Sequence, residues 1–133
     1  MDFSLSEEQK QVQDLINQFI AKDYPFDVRE KLVKSEDGFS KEYWKTFGEF
    51  GLLAMPFPED DGGFNGGPVD LMVILEAFGT GLVVEPYIPN VVLSGNLISK
   101  LGNKEQKDEI LPKLFSGELL SLIHISEPTR QLQ

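Results

Sequence analysis

The segment 68–78, PVDLMVILEAF, decides the fold. Val69, Leu71, Met72, Val73, Ile74, Leu75, Ala77 and Phe78 are apolar, and only Asp70 and Glu76 interrupt them. A proline fits the first helical position because the amide it lacks would have no intrahelical partner there. The stretch therefore predicts a helix opened by Pro68 and closed by Gly79 and Gly81. Apolar nearly all round, such a helix is expected to be central and covered on several sides. Glu76 would then be a buried carboxylate in need of a partner, for which a neighbouring helix end is a better candidate than catalysis.

Upstream lies the loop 58–68, PEDDGGFNGGP, whose glycines and prolines suit neither a helix nor a sheet interior. A phosphate cradle is the functional alternative. A P-loop needs Lys followed by Ser or Thr at the helix start, where this chain has Pro68, Val69 and Asp70; a dinucleotide fingerprint needs a preceding strand. A tight turn between helices is the better reading. Glu59, Asp60 and Asp61 do not alternate as calcium ligands do and read as a solvated loop. LLAMPFP, 52–58, is apolar but stopped by proline and is expected to be buried extended chain. Before it, Ser40 caps a helix with Tyr43, Trp44, Phe47 and Phe50 inward and Gly51 at its end. A polar helix fits Asp27 to Lys34. The first helix carries a capping box, Ser6 with Gln9, and an apolar face of Val12, Leu15, Ile16, Phe19 and Ile20, and it stops at Pro25.

Downstream, a helix begins near Pro86 or Pro89 and ends at Gly102. Glu85 ahead of it could reach a pocket or cap that helix. Asn103 and Gln106 form a second capping box, and Ile110, Leu111, Leu114 and Phe115 face inward before Gly117. Pro112 should kink or shorten this last helix. The sum is an all-α domain of five or six helices, with no convincing strand alternation.

A net charge of −10, with Lys and Arg scattered, excludes a basic stripe for nucleic acid and disfavours anionic membranes. The chain has no cysteine, which removes disulfides, thiolate metal sites and a Cys nucleophile. The acidic start MDFSLSEEQ shows no signal peptide, and no apolar run is long enough to span a bilayer, so a cytoplasmic location is expected. No metal cluster, nucleophile–base pair or paired carboxylates are evident, and residues 1–119 show no autonomous active site.

The order of these pieces resembles one family. MDFSLSEEQKQVQDLINQFI, WKTFGEFGLLAMPFPEDDGGFNGGPVDLMVILEAFG and LGNKEQKDEILPKLFSGEL are similar, in order, to the N-terminal helical domain of flavin-dependent acyl-CoA dehydrogenases. GGPVDLMVILEAFG and LVVEPY resemble the branch holding small subunits of pimeloyl-CoA dehydrogenase-like enzymes, while DDGGFNGG departs from the commoner EYGGFGGG wording. The resemblance implies a three-domain oxidoreductase that dehydrogenates an acyl-CoA between its α and β carbons, with a carboxylate base and FAD as hydride acceptor. It implies that FAD contacts and the base lie mostly in domains beyond residue 119, so neither Glu76 nor Glu85 is that base. By position it places part of the acyl-pocket wall at Tyr87, Asn90, Val91 and Ser94. It also implies a homo- or hetero-oligomer and an electron-accepting flavoprotein partner. Residues 1–119 alone are expected to be inactive. The rival readings are a non-catalytic partner subunit and a free-standing helical interaction module.

The remaining residues, 120–133, read differently. LSLIHISEPTR, Leu120 to Arg130, matches residue for residue the in-frame translation of a transposase adapter used in sequencing libraries. This stretch is therefore expected to be a sequence artefact, which removes His124, the sole histidine, from any Ser/His/acid constellation with Ser126 and Glu127.

Overall fold

The computed structural model describes residues 1–120. Six α-helices are present among the described residues: α1 (Glu7–Asp23), α2 (Phe26–Val33), α3 (Lys41–Glu49), α4 (Pro68–Thr80), α5 (Asn96–Leu101) and α6 (Lys104–Phe115). A short 3-10 turn covers Glu59–Asp61, and a π-helix, Ile88–Gly95, runs directly into α5. No strand occurs among the described residues. The all-α expectation holds. The adapter-like residues from 121 lie outside the described residues. The chain divides into two compact units, one of Met1–Ser40 with Gly67–Val84 and one of Lys41–Gly66 with Glu85 onward.

In the first unit α1 packs on α4. The expected capping box starts α1: the Gln9 amide donates to Ser6 Oγ (3.2 Å) and the Ser6 amide to Gln9 Oε1 (3.0 Å). The same glutamine donates from Nε2 to Asp70 Oδ1 (3.2 Å), while Asp70 Oδ2 accepts from the Gly67 amide at the start of α4 (2.8 Å). One side-chain pair thus fastens two helix N-termini together. Ile16 and Phe19 from α1 and Val73, Ile74, Ala77 and Phe78 from α4 form the core, and each larger side chain contributes about 1.5–3 kcal/mol on burial. Gly81 lets the end of α4 approach α1, since a Cβ there would lie 2.9 Å from Ile20.

The α4 helix departs from expectation in one respect. Val69 and Met72 are about half exposed and Glu76 is exposed, on the face opposite the buried residues. Spacings of three and four residues align these positions. Glu76 is therefore hydrated and needs no buried partner.

In the second unit Trp44 and Phe47 of α3 are buried together with Leu52, Leu53, Ala54 and Phe57. Residues 51–57 are not extended chain but successive turns, entered through Gly51 at φ +76°. The prolines bar a helix here, and the carbonyls of Ala54, Met55 and Phe57 accept from amides of the glycine loop. Phe57 packs on Phe115 of α6 with ring centroids 4.8 Å apart. A Cβ on Gly95 would come within 2.7 Å of the Phe57 ring, and one on Gly48 within 2.8 Å of the Ser116 carbonyl. The second capping box, Asn103 with Gln106, is present at α6. Pro112 does not stop α6, which continues to Phe115. Pro112 and Asp108 are both exposed, so the carbonyl that the proline leaves unbonded lies on the solvated side.

Candidate functional site

The glycine loop can be tested as a phosphate or flavin cradle by following its amides. Gly62 donates to the Glu59 carbonyl (2.9 Å), Gly63 to Pro58 (2.9 Å), Phe64 to Ala54 (3.4 Å), Asn65 to Phe57 (2.8 Å) and Gly66 to Met55 (2.8 Å). Gly67 donates to Asp70. Every amide from 62 to 67 is engaged within the protein, so none is left to bind an anion. The glycines serve close backbone approach: a Cβ on Gly63 would lie 2.2 Å from the Phe57 carbonyl oxygen, and one on Gly66 2.5 Å from that of Met55. This loop does not fit FAD.

Nor do the loop acids form a cation site. Asp61 Oδ2 accepts a 2.5 Å hydrogen bond from Ser99 Oγ, and Asp61 Oδ1 lies 3.6 Å from Lys107 Nζ. Asp61 thus ties the loop to α5 and α6. Asp60, Lys104, Lys107 and Asp108 share a mixed-charge depression of ≈ 330 Å³ with it. Nothing local in the sequence signals this network, because its members are far apart in the chain.

Tyr87, Asn90, Val91 and Ser94 are brought together by the π-helix and its N-cap, Tyr87. The hydroxyl of buried Tyr87 donates to the Leu52 carbonyl at 2.8 Å, and Val91 is fully buried. Ser94 is half-buried and borders, with Leu93, Leu97, Lys100 and Leu101, an open groove of ≈ 600 Å³. Asn90 is fully buried, yet neither its Nδ2 nor its Oδ1 has a hydrogen-bond partner among the described residues. Trp44 Nε1 is also buried without one. Glu85, just before this segment, is buried as well. The π-helix itself was not legible in the sequence. Segments of this kind are frequent at functional sites.

Burial pushes the Tyr87 phenol above its ordinary value. An unfolded tyrosine ionises near pH ~10, whereas the folded one holds its proton to higher pH. Its contribution to stability is therefore complete below pH ~10 and is lost as pH rises through the folded value. Tyr87→Phe is expected to cost about 1–3 kcal/mol at neutral pH, because the Leu52 carbonyl is left buried and unpaired. The same variant should lose stability less steeply above pH ~10 than the parent, which denaturant melts at several pH values would check.

An all-helical domain with a glycine-tied loop, two capping boxes and a π-helical segment defines the class. The acyl-CoA dehydrogenase N-terminal domain family matches residues 6–118. The chain belongs to the acyl-CoA dehydrogenase family. Among its relatives is the acryloyl-CoA reductase (NADH) of Anaerotignum propionicum, 31% identical over 96% of this chain and 32% of the relative. The mitochondrial isovaleryl-CoA dehydrogenase of Bos taurus is 32% identical over 93% of this chain and 30% of its own length. The ChsE4–ChsE5 complex from Mycobacterium tuberculosis holds a chain of the same fold, with TM-score 0.79, 26% identity and coverage of 89% of this chain and 32% of that one. The chain thus spans roughly a third of the length of these relatives. No helix among the described residues is long and apolar enough to cross a membrane.

Proposed function

We propose that residues 1–119 are the N-terminal helical part of a cytosolic, FAD-dependent acyl-CoA dehydrogenase. They supply part of the acyl-pocket wall and domain packing, and are inactive alone. The observation that carries this reading is the family match over residues 6–118. FAD is the acceptor that the family resemblance implies. Since the glycine loop has no amide to offer it, its contacts and the catalytic carboxylate fall to chain beyond these residues. Tyr87, Asn90, Val91 and Ser94 are the wall residues that the family resemblance implies, and the place of Ser94 on the open groove supports that reading. Residues 120–133 are assigned to adapter-derived sequence. Assembly with further subunits and electron transfer to a second flavoprotein complete the proposal. The two-protein ChsE4–ChsE5 neighbour favours a second reading, a partner subunit that needs an active companion.

The test is to read the source DNA on both sides of the codons for Leu119 to Gln133 and express the frame found. The expected result is a frame without the adapter that continues into further domains. Its product should bind FAD and be bleached by an acyl-CoA. Bleaching only after a second subunit is added would select the partner-subunit reading. A genomic stop directly after this tail, with no flavin bound, would overturn both.

A further inference from the structure

Within the second unit, the loop 57–61 meets the helical segment 88–101 at two points. Val91, Gly95 and Ser99 are spaced by four residues and are buried. Leu93 and Leu97, two positions off, are exposed on the other side and line the open groove with Ser94. The buried side faces the loop. At Gly95 the Phe57 ring lies so close that a Cβ would come within 2.7 Å of it. About one turn further on, Ser99 Oγ donates to Asp61 Oδ2 at 2.5 Å. The Asp61 side chain is only 11% exposed, and Lys107 Nζ of α6 stands 3.6 Å from its other oxygen. A carboxylate so placed needs both partners, a cation for its charge and a donor for its lone pairs.

The two contacts constrain different things. Phe57 sets how closely the segment approaches the loop. The Ser99 bond sets its rotation, because a helix turns about 100° per residue and a hydroxyl reaches a fixed acceptor in one setting only. We propose that Asp61 is a positioning residue for the acyl-pocket wall: it holds the face of Leu93, Ser94 and Leu97 at one angle and so sets which acyl chains are accepted. This deepens the acyl-wall reading above and rests on it. Asp61 touches no substrate and acts through Ser99. The chain has this aspartate where the commoner EYGGFGGG wording has tyrosine, which offers Lys107 no charge. One methylene gained or lost against an apolar wall changes kcat/KM by about tenfold or more, so a rotated wall is felt as altered chain preference.

The experiment uses the full-length, FAD-loaded protein and straight-chain acyl-CoA esters from short to long, with a branched ester beside them. The parent should prefer one ester. Ser99→Ala and Asp61→Ala should each flatten that preference by about tenfold, raising KM for the best ester while its kcat stays near the parent's. The double variant should be no flatter than Asp61→Ala, because both changes remove the same bond. Asp61→Asn, which still accepts from Ser99, should keep most of the preference. A loss by the same factor on every ester, or an unchanged profile in both alanine variants, would overturn the proposal and leave Asp61 a purely structural tie. A parent without any preference would overturn it too. Should Asp61→Ala not fold, Ser99→Ala, which removes one hydroxyl and leaves the Asp61–Lys107 pair, decides by the same criteria. Failure of every ester to bind or to bleach the parent's flavin would instead overturn the acyl-CoA reading on which it rests.

Discussion

Gly63→Ala is expected to destabilise the second unit by about 3 kcal/mol, at the upper end of what overpacking usually costs. The added methyl would sit 2.2 Å from the Phe57 carbonyl oxygen and 2.5 Å from its carbon. These are backbone atoms, so no side-chain rotation relieves the clash. Nor can the backbone swing aside cheaply. The Phe57 carbonyl accepts from Asn65, and the Gly63 amide is itself held by the Pro58 carbonyl. Gly79→Ala provides the contrast. Nothing lies within 4 Å of the methyl it would add, and in a helix alanine is favoured over glycine, so a gain of about 0.5–1 kcal/mol is expected. Chemical denaturation followed by circular dichroism, which reports helices of both units, would separate the two, and the fluorescence of Trp44, the sole tryptophan and a member of the second unit, would follow Gly63→Ala by itself. Equal stability of Gly63→Ala and the parent would mean that the loop is not held as described.

The second large effect belongs to Trp44 itself. Its relative exposure is 0%. Trp44→Ala is expected to cost about 3–5 kcal/mol through lost transfer free energy and the cavity left behind. Because Nε1 has no partner among the described residues, Trp44→Phe removes packing but no hydrogen bond. It should therefore cost much less, about 1–2 kcal/mol. Both variants lack the fluorophore, so circular dichroism must follow their unfolding. A loss with phenylalanine as large as with alanine would show that the indole N–H is bonded after all.

Sequence and structure agree where the causes are local. Ser6 with Gln9 and Asn103 with Gln106 are contained within one helical turn, and both boxes close as expected. Pro68 opens α4 because a missing amide is a property of the residue alone. Agreement fails where the cause lies elsewhere in the chain. Residues 51–57 are turns because the carbonyls of Ala54, Met55 and Phe57 meet amides of the glycine loop. Val69, Met72 and Glu76 are exposed because of what α4 packs against, which its own composition does not encode. The four candidate wall residues were legible as one segment only through family resemblance. Their π geometry was not, since a stretch this short does not distinguish helical periods. The unmet amide of Asn90 depends on what surrounds it in space, so no motif could announce it.

The π-helix has a consequence for counting. An α-helix advances about 100° per residue, so two chains of equal length keep their side chains in phase. A π segment takes up an additional residue per turn without lengthening the connection in proportion. Across Ile88–Gly95, a homologue with one residue fewer could join the same two endpoints by an ordinary helix. Positions before and after the segment would still correspond one to one. Within it, matching by number would pair side chains that point in different directions. Equivalence with Asn90 must therefore be judged by direction in space, and an alignment gap here marks a change of winding rather than a loss of structure.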